Sequence, residues 1–213
     1  MNGRMTIGPL DLLLVVDIQN DFCPGGALAV PRGNEIVPAI NCLARQFDHV
    51  ILTQDWHPKG HLSFASSHPG NKPYDVITAA YGKQELWPDH CVQGSRGAEF
   101  LADLSVPRAE LILRKGFHTA IDSYSAFREN DRSTKTGLSG CLRERGFKRI
   151  FIAGLALDFC VRYSAEDAYD EGFSVLVIED ACRAIDVGGS LAAARKSLNE
   201  RGISCIAADA IGA

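Results

Sequence analysis

Five short apolar runs, at residues 12–16, 50–53, 111–113, 150–153 and 174–178, constrain the fold of this chain more than any other feature. They are rich in β-branched residues and leucine, the pattern of strands buried on both faces of a sheet. Between several of them lie stretches of helical spacing. Residues 34–47 bring Ile36, Ile40, Leu43 and Phe47 to one face, residues 136–145 do the same with Leu138 and Leu142, and residues 161–171 and 191–201 read likewise. Gly146, Gly172 and Gly202 follow the last three, where a helix end favours a residue that tolerates positive φ. Strand alternating with helix implies crossover connections. The expected fold is therefore α/β, a three-layer doubly wound domain with a mostly parallel central sheet. No repeat or linker is visible, so residues 1–213 read as a single domain. Residues 58–107, with much Gly, Pro, Ser and His and weak periodicity, are expected to form a long irregular excursion with short helices.

A net charge of -4 with no long run of Lys or Arg argues against nucleic acid and against an anionic membrane surface, leaving a small molecule as the expected partner. The run at 12–16 is too short for a membrane span or a signal core and is bracketed by Asp11 and Asp17, so a cytoplasmic location is expected. The seven cysteines include no C-x-x-C pair and read as reduced thiols, most of them small buried hydrophobes.

In open parallel sheets ligands gather outside the carboxyl ends of the strands, and here those ends carry reactive side chains. Asp17 follows the first run, Asp55 and His57 the second and Lys115 the third, while the fourth enters a glycine turn that leads to Cys160. A helix is expected to begin at Cys160, and the unpaired N–H groups of a first turn favour thiolate over thiol and can hold an oxyanion. A carboxylate at Asp17, partly desolvated, suits a general base, although an aspartate there can equally cap a turn. Lys115 would stabilise both the carboxylate and the thiolate, although a lysine after a strand is commonly solvated. One carboxylate and two imidazoles, Asp55, His57 and the distant His90, suit zinc, iron or manganese with positions left open. His61 is a possible further ligand and stays outside the set. Cys91 reads as a buried neighbour of His90, and His49, His68 and His118 have no evident partner.

Six motifs acquire meaning together: Asp17-Ile-Gln-Asn-Asp21-Phe22-x-Pro-Gly-Gly26, Gln54-Asp55-Trp56-His57-Pro58, Trp87-Pro88-Asp89-His90-Cys91, Lys115-Gly116, Tyr124-Ser-Ala-Phe127 and Gly154-Leu-Ala-Leu-Asp-Phe-Cys160-Val161. Over nearly the whole chain they resemble the cysteine hydrolases of the isochorismatase-like superfamily, and within it the nicotinamidase/pyrazinamidase group. That resemblance implies the isochorismatase-like hydrolase fold, with Asp17 as base, Lys115 as its electrostatic partner and Cys160 as nucleophile. It also implies a cis Leu155–Ala156 bond, an oxyanion hole made by the amides of Ala156 and Cys160, and a turn braced by Asp158. One divalent metal ion, zinc first with iron or manganese as alternatives, would be held by Asp55, His57 and His90 and would bind the ring nitrogen of the substrate. Phe22 and Trp87 would wall the ring, with Tyr124 a weaker candidate. The implied reaction is hydrolysis of nicotinamide to nicotinate and ammonia through a thioester, extending to pyrazinamide, in NAD salvage; a monomer and a homo-oligomer are both compatible with it. The rival readings are another amidase of the superfamily, against which the metal set speaks, and a non-catalytic metal or redox-sensing protein, against which Asp17 and Lys115 speak.

Overall fold

The computed structural model describes residues 4–212. Among them the strands are, in chain order, β1 (Met5–Thr6), β2 (Asp11–Val16), β3 (His49–Asp55), β4 (Val76–Ala79), β5 (Gly82–Glu85), β6 (Ala109–Lys115), β7 (Arg149–Leu155), β8 (Ser174–Arg183), β9 (Ser204–Ile206) and β10 (Ile211–Gly212). The α-helices are α1 (Val37–Ala44), α2 (Leu138–Glu144), α3 (Arg162–Asp170) and α4 (Ser190–Glu200). All five apolar runs lie in strands of one six-stranded sheet, ordered β6-β3-β2-β7-β8-β9, in which every neighbouring pair is parallel.

The chain builds outwards from β2 through β3 to β6, then returns to the other side of β2 and builds outwards again from β7. Strand order therefore reverses between β2 and β7, and a crevice opens at their carboxyl ends. Every residue of β2 is buried. Leu13 and Val15 face Ile40, Leu43 and Phe47 on one side of the sheet, whereas Leu12, Leu14 and Val16 belong to the opposite core with Leu142 of α2, Val161 and Ala165 beside and within α3, and Leu198 of α4. The two cores explain why the strands are apolar without alternation. Gly154 has φ 131°, and a Cβ there would collide with the Val16 carbonyl, so the strand that leads to Cys160 can approach β2 only as glycine.

Two expectations change in detail. The segment expected to be a helix over 34–47 begins as a 3-10 turn, Gly33–Ile36, and continues as α1 with a proline in its first turn; it ends at Ala44, so Phe47 packs from a loop. The excursion at 58–107 contains the antiparallel hairpin β4–β5, with Val76 opposite Glu85, in addition to 3-10 turns such as Ala65–Ser67 and Arg96–Ala98. Val76 is 60% exposed, so the hairpin shows no apolar alternation of the kind that marks a half-buried strand. The edge strand β9 is only three residues long and mostly exposed, which left it without a periodic signal. β1 and β10 pair in parallel and bring the two ends of the described chain together.

Candidate active site and metal centre

Asp17, Lys115 and Cys160 meet where the strand order reverses. Asp17 is the first residue beyond β2, with φ 49°, a left-handed conformation that aspartate tolerates better than most residues. Its Oδ1 accepts a hydrogen bond of 2.6 Å from the Thr53 hydroxyl of β3. Its Oδ2 accepts none among the described residues and faces Lys115 Nζ as an ion pair at 2.9 Å. Lys115 ends β6 in register with Asp55, and its ammonium lies 2.5 Å from Asp55 Oδ1, 3.0 Å from the Ser123 carbonyl and 3.4 Å from the Cys160 sulfur. Oxygens of Asp17 and Asp55 and the Cys160 sulfur all lie within 4.8 Å of one another. None of Asp17, Lys115, Asp55 or Cys160 is more than 6% exposed.

One cation is shared by two carboxylates, and they respond in opposite directions. Burial pushes Asp17 up, Asp55 adds to that, and Lys115 with Thr53 does not fully offset it. For Asp55 burial also acts upwards, but Lys115 and His57 outweigh it and hold the carboxyl well below the usual range. The shorter contact goes to Asp55, which makes it the standing anion and leaves Asp17 the better proton acceptor. Burial acts to deprotonate Lys115, and Asp17, Asp55 and Cys160 reverse that and keep it a cation.

The nucleophile's turn departs from expectation in two ways. The helical path starts at Leu157, before the cysteine, as a five-residue π turn, Leu157–Val161, and α3 follows at Arg162. Within it the Ala156 carbonyl accepts from the amides of Phe159 and Val161 at 3.1 Å each and passes over the Cys160 amide between them. Leu155–Ala156 is cis, as the family resemblance implies. Burial also works against the thiolate that a helix N-terminus favours: it pushes the thiol well up, and Asp17 and Asp55 add to this against Lys115. Asp158 braces the turn from a fully enclosed position, accepting from the amides of Ile185 at 3.1 Å and Asp186 at 2.8 Å and from the Ser190 hydroxyl at 2.5 Å.

Asp55, His57 and His90 also converge. His57 Nε2 lies 3.5 Å and His90 Nε2 3.8 Å from Asp55 Oδ2, and all three side chains are buried. Each imidazole turns its Nδ1 to a backbone carbonyl, Gly116 for His57 and Pro88 for His90, both at 2.8 Å. That leaves both Nε2 atoms aimed at one carboxylate oxygen, the arrangement in which carbonyl groups orient histidine ligands. The donor set fits a divalent ion with open positions. His61 forms a second cluster with His57 and Asp122, but its own nitrogens are occupied, Nδ1 by the Ser63 hydroxyl at 2.8 Å and Nε2 by the carbonyls of His118 and Ile121 at 3.0 and 3.2 Å. Cys91 is buried beside His90. The remaining histidines have ordinary partners: Glu110 for His49, the Leu62 carbonyl for His68 and Glu129 for His118.

A cavity lies against both groups, lined by Asp55 and His90 of the one and by Ala156 and Cys160 of the other. Phe22 and Trp87 wall it as expected, and Tyr124 does too, its hydroxyl accepting from the Trp87 indole at 3.1 Å. Sequence reasoning missed Leu28, Asp122, Phe159 and Ile185 in the lining. Phe159 was findable as the neighbour of the nucleophile and Asp122 as the neighbour of the Tyr124 motif. Leu28 and Ile185 carry no local signal, since an isolated aliphatic residue in a loop reads as packing.

Residues 11–210 match the Isochorismatase domain family. A nicotinamidase of Acinetobacter baylyi is 53% identical over 194 residues, covering 91% of each chain. The structure of a nicotinamidase/pyrazinamidase of Acinetobacter baumanii superposes with a TM-score of 0.94 at 52% identity, over 95% of this chain and 98% of that one. A pyrazinamidase of Pyrococcus horikoshii, solved in complex with zinc, gives a TM-score of 0.76 at 36% identity over 93% and 99%. With its six parallel strands, its cysteine turn and a match over most of its length, this chain belongs to the isochorismatase family.

Proposed function

We propose that this protein is a nicotinamidase, hydrolysing nicotinamide to nicotinate and ammonia in NAD salvage and accepting pyrazinamide as well. The observation that carries the reading is that Asp17, Lys115 and Cys160 converge directly beside the Asp55, His57 and His90 cluster, with Cys160, Asp55 and His90 lining one cavity. Phe22 and Trp87 flank the ring and bring the carboxamide carbon to the Cys160 sulfur. A bound divalent ion, zinc first, would supply a Lewis acid to which a pyridine nitrogen can bind, which orients the ring.

Asp17 accepts the thiol proton as the sulfur bonds to the carboxamide carbon, and the carbonyl electrons move onto the oxygen. The amides of Ala156 and Cys160 take that oxyanion, a contact of about 3 kcal/mol per well-placed donor. Asp17 then returns the proton to the nitrogen, the C–N bond breaks, and ammonia departs from a thioester. Water gives a proton to Asp17 as it adds to the thioester, and collapse of the intermediate breaks the C–S bond to release the acid and regenerate the thiol. Lys115 stays protonated throughout and offsets the charge that passes between sulfur and Asp17. Among the described residues no helix is long and apolar enough to cross a membrane. The free thiols support a cytoplasmic location, and the family match over 11–210 supports one domain across residues 1–213. The test is ammonia release from nicotinamide by metal-replete and metal-stripped protein; no release from replete protein overturns the reading.

A further inference from the structure

The motif that opens with Asp17 also contains Gln19 and Asp21, which the mechanism above leaves unused. Gln19 is completely buried. Pairing of β2 with β3 ends at Val15 and Leu52, yet the Gln19 side chain carries the ladder further: its Oε1 accepts from the Asp55 amide at 2.8 Å, and its Nε2 donates to the Asp55 carbonyl at 2.8 Å and to the Ala98 carbonyl at 2.9 Å. On its other side Asp55 is in register with Lys115 of β6. Its peptide is thus held along both edges.

Asp21 does the equivalent work for the histidines. Its Oδ2 accepts from the Cys91 amide at 2.7 Å and its Oδ1 from the Ala27 amide at 3.2 Å. Cys91 adopts φ 46° next to His90, and its carbonyl accepts from the His57 amide at 3.0 Å. One residue, Cys91, therefore ties Asp21 to both histidines, through the covalent bond to His90 and the hydrogen bond to His57. Gly97 lies against the Asp21 carboxylate, where any Cβ would collide with it, so the carboxylate is held from behind.

We propose that Gln19 and Asp21 are positioning residues of the metal centre, fixing the backbone of Asp55, His57 and His90 without touching the ion. This rests on the metal reading given above. Irregular backbone cannot borrow a ladder from a neighbouring strand, so side chains must satisfy and orient its peptide groups. Outer partners of this kind commonly govern metal affinity by about 10- to 100-fold.

The test is Zn2+ affinity, measured on the full-length protein by competition with a chromophoric chelator. Gln19→Leu and Asp21→Ala should each bind Zn2+ about 10- to 100-fold more weakly than wild type, whereas Asp21→Asn, whose amide oxygen still accepts hydrogen bonds, should recover most of that loss. Leu198→Ala, in the core beneath α4, should melt earlier but keep wild-type affinity. Should Gln19→Leu fail to fold, the Asp21 pair decides. Affinities within twofold of wild type in the folded variants, or an equal loss in Leu198→Ala, overturn the proposal. His90→Ala separates the two levels: if it weakens Zn2+ binding while Asp21→Ala does not, positioning alone fails, and if it binds like wild type the metal reading fails and takes this inference with it.

Discussion

The strand ends and the excursion between β3 and β6 both contribute to the site, by different physics. Asp17, Lys115 and the Cys160 turn hang directly from paired parallel strands, so ladder register sets their separations: Val16 opposite Gly154, Asp55 opposite Lys115. His90 and Trp87 lie in a segment whose main regular structure is the exposed hairpin β4–β5, and they are placed by isolated contacts such as the Asp21 bond to Cys91 and the Trp87 bond to Tyr124. The residues proposed for covalent chemistry sit on the side that rigid pairing positions. Trp87 and His90 sit on the side that individual hydrogen bonds position, where a single substitution can alter one contact and leave the sheet intact.

If that division holds, the largest effect comes from Cys160→Ala, which should lower nicotinamide turnover by about 10⁴-fold or more while Zn2+ content, read by elemental analysis, stays at the wild-type level. Hydrolysis retained in that variant would move the attack from the strand half to the metal half. Asp17→Asn should cost about 10²- to 10⁴-fold in kcat, with both the acylation burst and the steady state slowed. A full single-turnover burst in that variant would remove Asp17 from the first proton transfer.

Substitutions on the excursion side should discriminate between substrates. His90→Ala, or chelation, is expected to reduce kcat/KM for nicotinamide about 10-fold more than for benzamide, which lacks the ring nitrogen, with circular dichroism confirming an intact fold. Equal proportional losses would make the ion structural or water-activating. Stability should sharpen the contrast further. Leu14→Ala, fully buried in β2, is expected to cost about 2–5 kcal/mol in urea unfolding, whereas Val76→Ser, at 60% exposure in the hairpin, should stay within about 0.5 kcal/mol of wild type. A large loss at Val76 would mean that the hairpin is integral to the core.

The strand-borne half was the more legible in the sequence. Runs such as 12–16 and 150–153 are apolar on every residue because they are buried on both faces, and the reactive side chains follow within a few positions. β4, β5 and β9 left no such trace, being short and largely exposed, and the helix expected over 34–47 was shortened at both ends by a 3-10 turn and a loop. Of the cavity walls, aromatic residues inside motifs were readable, whereas Leu28 and Ile185 became walls only when distant loops met.

By itself the sequence determined the doubly wound sheet and placed Asp17, Asp55, His57, Lys115 and Cys160 at or just beyond strand ends, because burial on two faces and short strand-to-turn spacing are local properties. Tertiary structure decided how one lysine is divided between two carboxylates, with Asp17 pushed up and Asp55 held well below the usual range. It also decided that burial opposes ionisation of Cys160 and that His61 gives Nδ1 to Ser63 of its own loop and Nε2 to the distant His118 carbonyl. These outcomes depend on distances between residues far apart in the chain and on the water excluded around them, and neither is encoded in spacing along the sequence.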